Sequence, residues 1–366
     1  MRADCADIRT RLTTYLDAEI ASLRVLDSGW ETTIFEFALG GPSTRAPDLP
    51  LRSPLVLRVY DGVRADDKAA RESRTMFSLA AAGYPVPRPY LLEPDRNVIG
   101  NPFLVMDRVA GGPLFTAKSF PQAFKTFSLG FIAFVRAQVR LHRLALADDN
   151  PIGSVEDPEK PPGALPAPSP STSAPLLDRM LAMVADRIER GPLPGLRDAL
   201  ASLRNRAERY RDAPRAIVHL DYHPQNVIVR GTRVTGVVDW VSADRGDRHL
   251  DAATTSAILA TSAMDHPRWM RDNAAGNSLR TLFAALYFPS YHALAPMELD
   301  RFRYCQAVAA LVRLSTFGMM RTRGPESVGY RPAAIANVTR DVVHLLSRYA
   351  ARKSGIAVAI PSQAQS

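Results

Sequence analysis

Cysteine is almost missing from this chain: Cys5 and Cys305 are the only two in 366 residues. Two are too few for a disulfide framework and fit no zinc-ligand spacing, so a reducing cytoplasm is the expected compartment. Long apolar runs are missing too. No stretch reaches the ~18 residues of a membrane span. Met1 to Arg11 carries Asp4 and Asp7 without an apolar segment, so no secretory leader is expected. Net charge is +9 and the isoelectric point is about 9.8. The Lys and Arg residues are nevertheless scattered, with no run of five or six like charges and no basic stripe interleaved with aromatics. A solvated basic surface is expected, with neither nucleic acid nor membrane as partner. No internal repeat and no dense acidic cluster is present.

What is there is an ordinary globular composition, 46% hydrophobic and 23% charged. The length exceeds what one core usually supports, which points to two. Residues 4 to 23 carry apolar side chains three or four apart, the spacing of an amphipathic helix. Thr32–Leu39 and Leu55–Tyr60 read as strands, Asp67–Ala82 as a helix and Phe103–Met106 as a short strand. Ala110-Gly111-Gly112-Pro113 punctuates the chain. Helices dominate after it: Phe127–Leu144, Leu176–Arg190, Leu196–Arg211 and most of residues 251–350. The expected organisation is a strand-rich unit over 1–110 and a helical unit over 111–353, with a frayed tail over 354–366. Seven prolines between Asp157 and Pro175 mark an extended insert.

The chemistry concentrates in His219-Leu220-Asp221-Tyr222-His223-Pro224-Gln225-Asn226, followed by Asp239 in Val238-Asp239-Trp240. Phosphoryl transfer needs a carboxylate to orient a hydroxyl and take its proton, hard oxygens to hold magnesium, and cations to spread charge. Asp221 supplies the first. Asn226 and Asp239 supply the second. A hairpin is expected between them, Asn226–Arg230 against Val234–Asp239 around Gly231-Thr232, and it would bring those two oxygens together. The spacing His-x-Asp-x4-Asn is that of a kinase catalytic loop. Upstream, Arg58 on the strand Leu55–Tyr60 and Glu72 on the next helix match the cation–acid pair that holds nucleotide phosphates. Ser28-Gly29 stands in the place of a phosphate loop between strands. His219, His223 and His142 read as structural.

At these residues the chain resembles the aminoglycoside phosphotransferase and choline kinase-like family of small-molecule kinases. The likeness runs from about Val25 to Ala260 through RESRTMFSLAAAGYPVPRP, NPFLVMDRVAGGPL, HLDYHPQNVIV and VVDW, then Gly246-Asp247 and Asp251. It implies an α+β, two-lobed, protein-kinase-like fold, with a small antiparallel-sheet lobe, a large helical lobe and ATP in the cleft. It implies Asp221 as base, Asn226 and Asp239 on magnesium, and the backbone of Met106 to Val109 as the adenine-binding hinge. Asp247 and Asp251 become structural acids behind the loop. The expected activity is phosphorylation of a small-molecule hydroxyl.

The chain departs from that pattern in places. Arg58 stands where kinases carry Lys, and its fork needs more room than an ammonium. Leu220 replaces a common Gly, and Val241 stands where many members have an acid. Trp240-Val241 in place of Phe-Gly argues against a protein kinase. Arg58 and Val241 also keep a second class open, a nucleotide-binding pseudokinase with a scaffold or sensor role.

Overall fold

The computed structural model describes residues 5–62, 64–114, 120–146, 152, 175–261 and 274–361. All six side chains of β3 (Leu55–Tyr60) are buried, and a strand dry on both faces must run through the middle of a sheet. Around it the antiparallel order is β1 (Ile20–Ser28), β2 (Thr32–Leu39), β3, β5 (Phe103–Asp107) and β4 (Pro89–Glu93). Alternation along β3 divides its side chains between two layers. Leu55, Leu57 and Val59 pack with Phe35, Phe37 and Phe103 beneath α1 (Cys5–Leu16). Val56 and Tyr60 join Met76 and Leu79 of α2 (Ala65–Ala81) on the other face. A short helix, α3 (Arg96–Ile99), links β4 to β5.

Residues 4 to 23 are not a single helix: α1 ends at Leu16, the chain turns at Asp17 (φ +47°), and Ile20 begins an edge strand paired from Ile20↔Leu39 to Ser28↔Thr33. Spacing of three or four also suits Leu16, Ile20 and Leu23 locally. The ladder to β2 and the burial of Ile20 against Leu39 outweigh it.

Past β5 the chain meets the hairpin that follows Asn226 at once. The two-residue strand β6 (Gly112–Pro113) pairs with β8 (Val227–Arg230), and β8 pairs with β9 (Arg233–Val237). Gly111 makes this crossing possible. Its φ is +116°, and a Cβ there would lie 2.3 Å from the Val229 carbonyl oxygen. A second ribbon pairs β7 (Arg215–Val218) with β10 (Asp244–Asp247). The helices of the large lobe are α4 (Phe120–His142), α5 (Leu176–Arg190), α6 (Arg197–Arg211), α7 (Arg248–Thr261), α8 (Ala274–Leu294), α9 (Leu299–Arg323) and α10 (Arg340–Ser354). Helix α9 runs through the middle of them and buries Cys305, Val308, Leu311 and Leu314. The architecture is α+β and two-lobed.

Of the proline-rich stretch, only Pro175 falls within the described residues, just before α5. Part of the expected frayed tail is placed against the core instead: Ile356, Val358 and Ile360 pack on it, and the Ala359 N–H reaches the Gly195 carbonyl at 3.4 Å. Residues 362–366 lie outside the described residues. Among the described residues no helix is long and apolar enough to cross a membrane.

Candidate active site

The loop after β7 is held from behind. Leu220 adopts φ +62°, a conformation that costs a non-glycine residue about 1–2 kcal/mol. Its N–H donates to Asp251 Oδ1 at 2.6 Å. Asp251 is fully buried near the start of α7. Its second oxygen accepts from His142 Nε2 (2.8 Å) and Gln138 Nε2 (3.0 Å) on α4. Burial pushes the Asp251 pKa up, but the His142 bond and charge, His219 and Gln138 outweigh it and hold the carboxyl below its usual value. His219 is buried as well. Its Nδ1 accepts from the Asp221 N–H (3.3 Å) and its Nε2–H donates to the Val238 carbonyl (3.0 Å). Burial pushes its pKa down despite three acids nearby, so it ties loop to hairpin as a neutral ring.

Asp221 thereby faces the cleft with its side chain 38% exposed. Its Oδ2 lies 3.2 Å from Asn226 Nδ2 and 3.5 Å from His223 Nε2. His223 Nδ1 takes the Gln225 N–H at 3.3 Å, which leaves the ring proton on Nε2, toward Asp221. Burial raises the Asp221 pKa, but His223, His219 and Arg313 of α9 overcome it, so the carboxyl sits below its ordinary value and is ionised at neutral pH.

Asn226 and Asp239 meet at the mouth of the hairpin. The Val238 N–H donates to the Asn226 carbonyl at 2.9 Å, one step beyond the Val227↔Val237 pair. Both side-chain hydrogen bonds of Asn226 use Nδ2, to the carbonyl and carboxylate of Asp221. Its Oδ1 is therefore the atom left to face a cation. Asp239 has φ +69° and its side chain is 38% exposed.

Arg58 joins the lobes. Only 5% exposed, it places Nη2 2.8 Å from Asp239 Oδ1 and Nη1 3.2 Å from Glu72 Oε1. Burial works against the guanidinium charge, but Asp239 and Glu72 more than offset it and hold its pKa above the usual value. Glu72 is fully enclosed. Its Oε2 accepts from the Tyr60 hydroxyl (2.6 Å) and its Oε1 from the Trp240 N–H (3.2 Å). Burial raises its pKa in spite of Arg58.

The remaining sequence candidates belong to the small lobe's sheet and the chain just beyond it. Ser28 ends β1, and the Gly29 N–H closes the β1–β2 turn on the Thr32 carbonyl at 3.0 Å. Met106 is in β5, opposite Val56. Val109 follows β5, and its carbonyl accepts from Arg108 Nη1 at 2.6 Å. Asp221 and Asn226 thus form one bonded pair and Asp239, Arg58 and Glu72 a second group, joined to it through the Val238 backbone, and Ser28, Gly29, Met106 and Val109 stand outside both.

Four contributions escaped the sequence reading. His223 turns toward Asp221. Tyr60 donates to Glu72. Lys68 bridges Glu31 Oε2 (2.7 Å) and the Gly329 carbonyl (2.9 Å). Tyr330 and Arg331 reach back from beyond α9: the Tyr330 ring meets Trp30 edge-on at 5.2 Å, and the Arg331 N–H donates to the Trp30 carbonyl at 2.7 Å. Lys68 could have been found, since it lies four residues before Glu72 on one helix face. Arg331 carries no signal so far from its partner in sequence.

Among the described residues no three or more His, Cys, Asp or Glu side chains gather at one metal-sized point. Magnesium carried on a nucleotide needs only one or two protein oxygens beside phosphates and water. The Asn226 and Asp239 pair, hard oxygens at the end of one hairpin, fits that requirement. Asp239 would have to exchange its bond to Arg58.

Comparison with known proteins bears on the whole arrangement. No curated protein matches the chain in sequence. Solved structures do match in fold. Aminoglycoside phosphotransferase APH(4)-Ia is 16% identical with a TM-score of 0.62, covering 96% of this chain and 99% of that one. A protein of Ralstonia eutropha JMP134 described as an aminoglycoside phosphotransferase is 18% identical with a TM-score of 0.56, covering 96% and 99%. A choline/ethanolamine kinase family protein of Mesorhizobium loti is 16% identical with a TM-score of 0.51, covering 96% and 93%. At such identities the likeness is one of fold. Sequence supplies the family, because the profile of the phosphotransferase enzyme family matches residues 22–297. This chain belongs to the phosphotransferase enzyme family, APH.

Proposed function

We propose that the chain is an ATP- and magnesium-dependent kinase that phosphorylates a hydroxyl group of a small molecule. The observation that carries this reading is the junction at the hairpin mouth. The Val238–Asn226 backbone bond sets Asp239 beside Asn226, while Asn226 Nδ2 grips Asp221. A bound magnesium nucleotide would supply the transferable phosphoryl group and neutralise charge on it. Asn226 Oδ1 and Asp239 would hold the metal. Asp221, kept ionised, orients the acceptor hydroxyl and takes its proton as the new bond forms. Arg58, released in part from Asp239, meets phosphate oxygens while Glu72 keeps its fork in place. Ser28 and Gly29 cover the phosphates, and the backbone from Met106 to Val109 receives the adenine.

Relatives suggest where to look for the acceptor. APH(4)-Ia variants have been crystallised with hygromycin B and either ADP or AMP-PNP. Here Arg313 sets positive charge near Asp221, which disfavours a polycation close to the reacting hydroxyl. Amino alcohols, sugars and uncharged antibiotics suit it better. Two free thiols, one of them the buried Cys305, fit a cytoplasmic setting.

The test is ADP release across a panel containing choline, ethanolamine, hygromycin B and common sugars. Asp221→Asn is expected to bind ATP as the wild type does and to lose about 100-fold or more in turnover. Retained turnover in that variant would remove Asp221 from the chemistry. Nucleotide binding with no turnover on any acceptor would favour the pseudokinase reading, for which the occupied Arg58 is the specific support.

A further inference from the structure

Away from the catalytic cleft, helices α7, α8, α9 and α10 line a half-open cavity of about 700 Å³. That is the size of a small-molecule site. None of the residues described in the active site lines it. Its floor is apolar, with Ala260, Ala285, Phe288 and Phe302, and its rim carries Arg303, Arg348, Arg352 and Lys353. Among the described residues that line it there is no Asp or Glu. Among the described residues none of these four cations lies in a salt bridge. Arg352 and Lys353 instead stand over the Tyr349 ring, at 6.0 and 5.4 Å from its centroid.

Tyr349 is 4% exposed and lines the cavity, its hydroxyl buried beside Ser256 of α7. The cations also disturb one another. Burial first, and then Arg352 and Arg303, lower the Lys353 pKa. Like charges assembled without a counter-charge gain most when an anion joins them.

We propose that this cavity is a second binding site, separate from the phosphotransfer cleft, for a small anionic amphiphile: a carboxylate or phosphate head on an apolar body. The head lies among Arg348, Arg352 and Lys353. The body lies on Phe288 and Phe302. The apolar floor favours such a ligand over a bare inorganic anion, and the basic rim favours it over a neutral hydrocarbon.

The experiment is calorimetric titration of the full chain with decanoate, and with 1-decanol as the uncharged homologue. Two variants test the two halves of the site. Arg348→Gln/Arg352→Gln removes charge at exposed positions, where folding tolerates change. Ala285→Trp fills the apolar floor. One decanoate per chain is expected, weakened about tenfold or more in each variant, with decanol weaker than decanoate and saturating magnesium–ATP without effect. Four results would overturn the proposal: no saturable binding, equal binding by both variants, equal binding of decanol, or displacement by ATP. Because the readout needs no phosphotransfer, a failed kinase assay leaves this outcome standing, and the converse holds too.

Discussion

Replacing Arg58 by Met removes the cation that sits between the lobes while keeping its apolar stem. Glu72, 1% exposed in its side chain, then keeps only the Tyr60 hydroxyl and the Trp240 N–H. Breaking a buried pair from one side costs about 3–5 kcal/mol, because the remaining charge is stranded. At roughly 2 °C per kcal/mol for a chain of this size, the melting temperature should fall by about 6–10 °C. The loss should depend on pH in a defined direction. Burial already raises the Glu72 pKa in the wild type, and without Arg58 it must rise further. A carboxyl whose folded pKa lies above its unfolded value, about 4.3, binds more protons folded than unfolded between the two. Stability therefore falls as pH rises through that window, and the variant's deficit should be larger at pH 8 than at pH 5.5. Urea unfolding of wild type, Arg58→Met and Arg58→Met/Glu72→Gln at both pH values measures this. The double variant should recover part of the loss and show no extra slope. A deficit under about 1 kcal/mol with no pH dependence would refute the reasoning, since the pair would then behave as an exposed one.

Other outcomes follow from the same geometry. Asp251→Asn should loosen the catalytic loop by weakening the bond to the Leu220 N–H and the His142 contact, at a cost of about 2–4 kcal/mol. It should also remove Asp251's share of the wild type's loss of stability as pH falls below about 4, because a lowered carboxyl pKa stabilises above the unfolded value and ceases to do so on protonation, while Asp221 and Asp247 keep theirs; acid unfolding curves compare the two. Arg331→Ala should free the β1–β2 turn. Arg331 reaches the Gly29 carbonyl, Thr33 and Asp61, so hydrogen exchange at residues 29–33 should quicken about tenfold, with α9 unchanged. Protection that stays equal there would show that the turn is held by its own ladder.

Much of the site was legible in the sequence, and the reason is local. Asp221, Asn226 and Asp239 lie within nineteen residues of each other around one hairpin. A hairpin's pairing follows from its turn, so spacing alone carries them into proximity. Arg58 and Glu72 were readable for a similar reason, one strand and the helix that follows it. What spacing cannot give is a choice between partners. Arg58 was expected to hold phosphates with Glu72, and the structure shows its second nitrogen on Asp239 as well. The helix expected over residues 4 to 23 failed where non-local pairing decides. Ile20 is fixed by Leu39, nineteen residues on, and a window of local periodicity does not contain that partner. Lys68, Tyr330 and Arg331 belong to the same class, since their contacts close across the two lobes.

Nucleotide binding tests the central reading most directly, by a thermal-shift titration of wild type and Asp239→Ala with ATP, with and without magnesium. A ligand that binds only the folded chain must raise its melting temperature. The account predicts a magnesium-dependent rise for the wild type that Asp239→Ala loses. No rise in the wild type at millimolar ATP, or the same magnesium-dependent rise in Asp239→Ala, would contradict the assignment of Asn226 and Asp239 as the metal-holding end of the cleft.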